Sequence, residues 1–274
     1  MAKTFDKLFD VTGKTAIVTG GAGIQGPRVA AGLAAYGANV ALVDVDEDGA
    51  RVAAAQISDE TGASTLAVEC DVSKPDSVNA MIDRVVEVFG GVHILHNNAA
   101  SKSKNVADFF APFEDFKFET WREIMSVNVD GMFLVAQAVV RQMIAQKSGG
   151  SIIQTSSTYG LVGPEPRIYE GSKYLGETIR SPAAYSASKA AVVGLTRYLA
   201  THLAEHGIRV NTLVPGGIES GQNDTFVQSY SSRVPLGRMA HRDEMVGAVV
   251  FMASEASSYM TGQMVVVDGG WTVW

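Results

Sequence analysis

A glycine-rich turn between a β-branched run and a helical stretch constrains this chain more than any other feature. Thr15-Ala-Ile-Val-Thr19 reads as a buried strand, Gly21-Ala-Gly23-Ile-Gln-Gly26 is a G-x-G-x-x-G, and Arg28–Tyr36 has helical spacing. In that setting the glycines permit a tight turn and close backbone approach. The free N–H groups and positive dipole end of the helix then suit a pyrophosphate. Asp44 ends the next strand, Asn39–Val43, 18 residues beyond Gly26. A carboxylate there accepts the two hydroxyls of an unphosphorylated ribose. It also repels a 2′-phosphate, by roughly 4 kcal/mol at about 4 Å and an effective dielectric near 20, before screening. No Lys or Arg stands at Val45, Asp46 or Glu47 to offset that. The reading is NAD rather than NADP.

The remainder of the chain repeats the alternation of strand and helix. Further strands are expected at Ser64–Glu69, Val92–Asn97, Ser151–Ser156, Ile208–Val214 and Met264–Val267, with helices at Asp48–Glu60, Pro75–Phe89, Trp121–Gln146, Tyr185–His206 and Asp243–Ala253. Short β-branched runs separated by helices predict an α/β fold, a seven-stranded, doubly wound parallel sheet of Rossmann type with helices on both faces. With no internal repeat and no linker, residues 1–274 read as one domain. Two stretches break the rhythm. Residues 160–184 carry three prolines and no clear period, and 219–238 is rich in Ser, Asn, Gln and Gly and is expected to be mobile.

Charge and composition narrow the partners. A formal net charge of −7 without a Lys/Arg cluster argues against nucleic acid. No run of 18 apolar residues suggests a membrane span, and Met1–Asp10 lacks the apolar core of a signal peptide. Cys70 is the single cysteine, so no intrachain disulfide can form and a reducing, cytoplasmic setting fits. The five histidines are scattered and no metal site is expected.

The order and spacing of several short motifs resemble the short-chain dehydrogenase/reductase family across nearly the whole chain. They are Thr19-Gly-Gly-Ala-Gly-Ile-Gln-Gly26, Cys70-Asp-Val72, Asn97-Asn-Ala-Ala100, Asn128, Ser156-Ser157, Tyr185-Ser-Ala-Ser-Lys189, Arg209-Val-Asn-Thr-Leu-Val-Pro-Gly216 and Val267-Asp-Gly-Gly270. The resemblance implies an NAD-dependent oxidoreductase that moves a hydride between the cofactor and a secondary alcohol or ketone. It assigns Tyr185 as acid–base, Lys189 as its electrostatic partner and ribose ligand, Ser157 as the group that holds the substrate oxygen, and Asn128 as the holder of a relay water. It further implies that Gly20, Gly23, Ile24, Gln25 and Gly26 cradle the phosphates, that Asp71 and Val72 hold the adenine, and that Asn98 and Ala99 pass under the adenosine. Pro215, Gly217 and Ile218 would border the nicotinamide. A homo-oligomer, dimer or tetramer, is implied through the helices Trp121–Gln146 and Tyr185–His206. The apolar tail Trp271-Thr-Val-Trp274 is expected at a subunit contact.

Three departures from the family pattern stand out. Glycines at 20, 23 and 26 replace the usual T-G-x-x-x-G-x-G, a spacing closer to the branch that acts on nucleotide sugars. Ala100 replaces a glycine. About fifteen extra residues separate Ser157 from Tyr185, and they contain a second Y-x-x-x-K, Tyr169-Glu-Gly-Ser-Lys173. Tyr and Lys four apart share a face only on a helix. Tyr169 sits among Pro164, Pro166, Gly171 and Gly176, whereas Tyr185 opens a strong helical run, so Tyr185 is the expected acid–base residue. Free tyrosine, with a pKa near 10, must fall to about 7, which requires roughly 4 kcal/mol.

Residues 101–120, 160–182 and 219–238 should line the substrate cleft, and they contain Lys102, Lys104, Arg167, Lys173, Arg180 and Arg233. A sugar, sugar acid or polyol is the expected substrate, with solvated loop charges as the plainer alternative for each cation. Other readings remain open here: a nucleotide-sugar epimerase or dehydratase, which normally needs a further C-terminal domain, a 3-oxoacyl reductase, and a non-catalytic NAD-sensing protein.

Overall fold

The computed structural model describes residues 5–103 and 105–274, so Lys104 and residues 1–4 lie outside the described residues. Nine strands form: β1 (Thr15–Thr19), β2 (Asn39–Asp44), β3 (Thr65–Glu69), β4 (Ile94–Asn97), β5 (Gly150–Thr155), β6 (Lys173–Tyr174), β7 (Glu177–Thr178), β8 (Ile208–Pro215) and β9 (Met264–Val267). Seven of them make one sheet in the order β3-β2-β1-β4-β5-β8-β9, every pairing parallel, and β6 and β7 make a separate two-residue hairpin. The order reverses between β1 and β4. Chains leaving these two strands diverge and open a crevice at their C-terminal ends.

Side chains alternate between the two faces of the sheet. Ala16, Val18, Val40 and Leu42 pack one core with α1 (Gly26–Ala35), α2 (Glu47–Thr61) and α9 (Val246–Ala253). Ile17, Ala41, Val43 and Leu95 pack the other with α3 (Pro75–Phe89), α6 (Met132–Gln146) and α7 (Ala183–Leu203). Both faces are therefore apolar, which is why these strands read as continuous β-branched runs. The short helices α4 (Val106–Phe109), α5 (Phe118–Met125) and α8 (Asp224–Ser231) belong to the loops above the C-terminal ends of the strands.

Two expectations are corrected. The helix expected at Trp121–Gln146 is not uniform, because α5 and α6 are joined through a π-helical turn at Ser126–Gly131. The continuous helix, Phe118–Gln146, is long and apolar enough to cross a membrane. Its residues Ile124, Met132, Val135, Val139 and Met143 are instead buried within this fold. Second, residues 219–238 are not loop throughout, because they contain the helix α8. Asn223 caps it by accepting from the Phe226 amide, and Phe226 and Tyr230 bury one face.

Candidate active site

Thr19 ends β1 and organises the crevice. Its hydroxyl accepts the amides of Asn98 (2.8 Å) and Ala99 (2.9 Å), and Asn98 Nδ2 donates to the Thr19 carbonyl. Gly20 follows at φ +72°, a left-handed conformation that side chains resist. A Cβ on Gly26 would overlap the Gly20 carbonyl oxygen, so the turn closes only with glycine there. Gly21 is not part of the cradle proper. Its N–H bonds the Val43 carbonyl and ties the turn to β2. Pro27 then starts α1, where its missing N–H costs nothing.

Two cavities, of about 410 and 220 Å³, share Ile24, Gln25, Asn98 and Ala100 and so form one crevice. Gly20, Gly23, Asp44 and Asp46 line one end; Ser157, Tyr185, Lys189, Pro215 and Ile218 line the other. The Asp44 carboxylate accepts the amides of Ala22 (3.0 Å) and Asp46 (3.1 Å), which hold it at the crevice rim with lone pairs to spare. Arg51, the nearest cation on α2, is paired with Glu47 and Asp48.

Five residues expected around the cofactor, Gly26, Asp71, Val72, Ala99 and Gly217, do not line either cavity. Asp71 accepts from the amide and hydroxyl of Ser73 and is not among the residues lining either cavity, and Val72 is buried in the core. Gly217 donates its N–H to the Tyr230 hydroxyl (2.6 Å), and a Cβ on it would strike the Tyr230 ring. Its backbone is thus engaged by packing beside the crevice.

At the inner end Tyr185 and Lys189, one turn apart on α7, share a face. Tyr185 and Ser157 line the same cavity, with the Ser157 side chain in reach of the phenol. Burial pushes the phenol pKa up, and the Ser157 hydroxyl opposes that rise. Lys189 is 3% exposed, donates to the Thr155 carbonyl (3.0 Å), and has its Nζ 5.9 Å from the centre of the Tyr185 ring. An ammonium on that side of the ring favours the phenolate over the phenol. Burial lowers the Lys189 pKa to about 8, so the ammonium persists at neutral pH. An ammonium has three donors. The Thr155 carbonyl takes one of them, and the others suit the hydroxyls of a bound ribose.

Asn128 is fully buried in the π-turn. Its Oδ1 accepts the Ser101 amide (2.9 Å), and its Nδ2 donates to Ser188 Oγ (3.2 Å), which in turn donates to the Tyr185 carbonyl. It is therefore linked to α7 through Ser188, with no direct bond to Lys189. His96 lies buried beneath the site with Nε2 3.0 Å from Thr155 Oγ1, and burial lowers its pKa to about 3. No cluster of three or more His, Cys, Asp or Glu suited to a metal occurs among the described residues.

An aromatic lobe adjoins Tyr185. Ile168, Phe226, Tyr230, Val234, Met239 and Trp271 form its core, with Tyr159 and Tyr169 packed against it. Tyr230 stacks on Trp271 at 4.4 Å, and Tyr169 on Phe226 at 5.5 Å. Trp271, from the tail, thus completes its own subunit's lobe, while Val273 and Trp274 are exposed. The rejected Tyr169 lies on a short 3-10 turn (Pro166–Tyr169), with Lys173 beyond it in the β6–β7 hairpin.

The loop cations are mostly engaged. Arg167 forms a two-pronged pair with Glu165, Arg233 approaches the same carboxylate at 3.8 Å, and Lys102 sits over the Tyr174 ring. Arg180 lines an open cleft of about 430 Å³ beside Tyr169.

Comparison with known proteins decides the family. The family described as enoyl-(acyl carrier protein) reductase matches residues 20–272. Among curated proteins, the chain is 35% identical to 2,5-dichloro-2,5-cyclohexadiene-1,4-diol dehydrogenase of Sphingobium indicum, covering 97% of this chain and 99% of that one. It is 33% identical to D-threitol dehydrogenase of Mycolicibacterium smegmatis, over 97% and 95%. A short-chain type dehydrogenase/reductase from Mycobacterium marinum superposes with a TM-score of 0.86 at 38% identity, over 98% and 99% of the two chains. This chain belongs to the short-chain dehydrogenase/reductase family.

Two further structures of the family bear on the cofactor. A gluconate 5-dehydrogenase from Burkholderia cenocepacia J2315, in complex with NADP and tartrate, is 34% identical over 98% of each chain (TM-score 0.84). An NAD+-bound xylitol dehydrogenase is 32% identical over 94% and 99% (TM-score 0.83). The present short-chain dehydrogenase/reductase is an oxidoreductase of alcohols and ketones that uses a nicotinamide cofactor.

Sequence reading passed over Thr19, Thr155 and Ser188, which hold the crevice floor, Lys189 and Asn128, and also Tyr159 and Tyr230. For Tyr230 a usable signal exists, because Phe226 and Tyr230 are four apart after a capping asparagine. For the others the signal is only three-dimensional.

Proposed function

We propose that this dehydrogenase oxidises a secondary alcohol bearing several hydroxyls, a polyol or sugar ahead of a sugar acid, and prefers NAD to NADP. The observation that carries the reading is the convergence of Ser157, Tyr185 and buried Lys189 at one end of a crevice whose other end carries the Asp44 carboxylate. The glycine turn, the two remaining donors of Lys189 and the rim carboxylate fit a dinucleotide with a free ribose diol. Bound nicotinamide supplies the hydride acceptor. In the oxidative direction Ser157 Oγ positions the substrate oxygen and the Tyr185 phenolate takes its proton. Lys189 stabilises that phenolate, and Asn128, held by Ser101 and Ser188, positions the outer end of the proton path.

The pairing of Arg167 with Glu165 and the nearness of Arg233 to the same carboxylate leave these cations partly engaged and support an uncharged substrate, with Arg180 the cation best placed for an acid. The lone buried thiol of Cys70 supports a reducing, cytoplasmic setting. Exposed Phe133 on α6 and Tyr198 on α7 support a homo-oligomer built on those helices. The test is NADH formation from a panel of polyols, sugars, sugar acids, steroids and acyl thioesters, with NADP as the alternative oxidant. Greatest activity on steroids or acyl thioesters would overturn the substrate reading, and faster turnover with NADP would overturn the cofactor reading.

A further inference from the structure

The inserted segment places a phenol pair beside the reacting groups. Tyr159 stands two residues after Ser157, and its amide donates to Ser157 Oγ at 3.2 Å, so its backbone is tied to the group that holds the substrate oxygen. Its ring meets Trp271 edge-on at 6.4 Å. From the insertion, Tyr169 donates its hydroxyl proton to Tyr159 Oη at 3.1 Å, with its own ring stacked on Phe226. Both phenols lie within electrostatic reach of Tyr185.

A phenol has one proton to donate. The bond between the two hydroxyls uses one of the pair's two protons and leaves the other for a further acceptor. Among the described residues, the bond from Tyr169 is the only side-chain hydrogen bond recorded for the Tyr159 hydroxyl. Burial raises the pKa of both phenols, and Lys189 lies over the ring of Tyr185, so the pair serves as neutral donor and acceptor rather than as a proton exchanger.

We propose that Tyr159, oriented by Tyr169, recognises a second hydroxyl of the substrate, and that the insertion thereby selects polyhydroxylated substrates over simple alcohols. This inference rests on the polyhydroxyl reading above. Tyr159 touches the substrate, and Tyr169 is a positioning residue acting through it. A site built to bond a hydroxyl discriminates against the analogue that lacks it, because its own polar group is then left unpaired.

The test compares a vicinal cyclic diol, cyclohexane-1,2-diol, with cyclohexanol, which lacks only the second hydroxyl. The wild type should favour the diol in kcat/KM by about tenfold or more, the value of roughly one well-placed hydrogen bond. Tyr159→Phe and Tyr169→Phe should each bring that ratio to near one, and the double variant should lose no more than either single change. NADH binding should stay at the wild-type value, and Tm should fall by only the few degrees that one lost hydrogen bond costs. Variants that retain the diol preference, or that slow both alcohols equally while lowering Tm further, would show that the pair only anchors the insertion. A wild type that oxidises neither these alcohols nor any polyol or sugar would overturn the underlying substrate reading instead.

Discussion

Replacing Lys189 by methionine removes a buried ammonium while keeping a side chain of similar length. Burial lowers the lysine pKa from 10.5 to about 8 in the folded protein. Below pH 8 both folded and unfolded states carry the proton, and the folded state bears the full desolvation cost, about 3 kcal/mol for a shift of that size. Between about pH 8 and pH 10.5 the unfolded chain holds a proton that the folded one has released, so wild-type stability rises with pH across that window. Methionine removes both the cost and the slope, but it leaves the Thr155 carbonyl without its partner at 3.0 Å, a loss of about 1–2 kcal/mol. The variant should therefore be more stable than wild type by about 1–2 kcal/mol at pH 7, and the advantage should vanish near pH 9. Urea unfolding at fixed protein concentration, from about pH 7 to about pH 9.5, reads the difference below the range where tyrosines titrate. A variant that is less stable at pH 7, with a pH profile parallel to wild type, would refute the desolvated ammonium. Activity should be lost at every pH.

Other perturbations read separate parts of the site. Tyr185→Phe should retain NADH binding and lose turnover by about 10³-fold, the range of a removed acid–base group. Tyr169→Phe should keep its rate on cyclohexanol, and the reverse outcome for the two tyrosines would exchange their roles. Asp44→Arg should shift the NAD to NADP ratio of kcat/KM toward NADP by about 10–100-fold, a repulsion of several kcal/mol reduced by screening. An unchanged ratio would remove Asp44 from cofactor selection. Asn128→Ala leaves the Ser101 amide unpaired and takes from Ser188 Oγ the donor it accepts, while Ser188 keeps its bond to the Tyr185 carbonyl. It should destabilise by about 1–3 kcal/mol and reduce kcat more than it alters KM; a rise in KM alone would argue for a binding role.

The seven sheet strands were legible because the central strands are buried on both faces, so Thr15–Thr19 and Asn39–Val43 read as short runs with apolar residues at consecutive positions. Their ends moved by at most two residues: β4 begins at Ile94 rather than Val92, since the His93 ring accepts the Thr15 amide beside it. Helix boundaries followed local chemistry where a cap or proline was present, as at Pro75, and drifted where none was, as at Asp243. The π-turn left no trace in the sequence, because Ser126–Gly131 differs from an α-helix in hydrogen-bond register and not in residue type. Polar composition hid α8. Side chains joined by tertiary bonds were invisible for the same reason. Nothing near Gly217 announces that Tyr230, 13 residues away, occupies its amide. Glycines and prolines correctly excluded Tyr169 from a helix, yet they carried no information that its hydroxyl would meet Tyr159.

The π-turn also makes the helix above the sheet sensitive to length rather than to identity. A π-turn holds one residue more than the α-helical turn it replaces. Deleting a single residue between Ser126 and Gly131 would let Phe118–Gln146 run as an uninterrupted α-helix in nearly its present phase. Winding that turn as α-helix with every residue kept would instead rotate the upstream residues by about 100° against those downstream. In the rewound helix Trp121 and Ile124 would leave the cluster they share with Ala184 at the start of α7. A substitution scan samples this segment one side chain at a time, whereas a deletion scan would find the phase relation on which two packed surfaces depend.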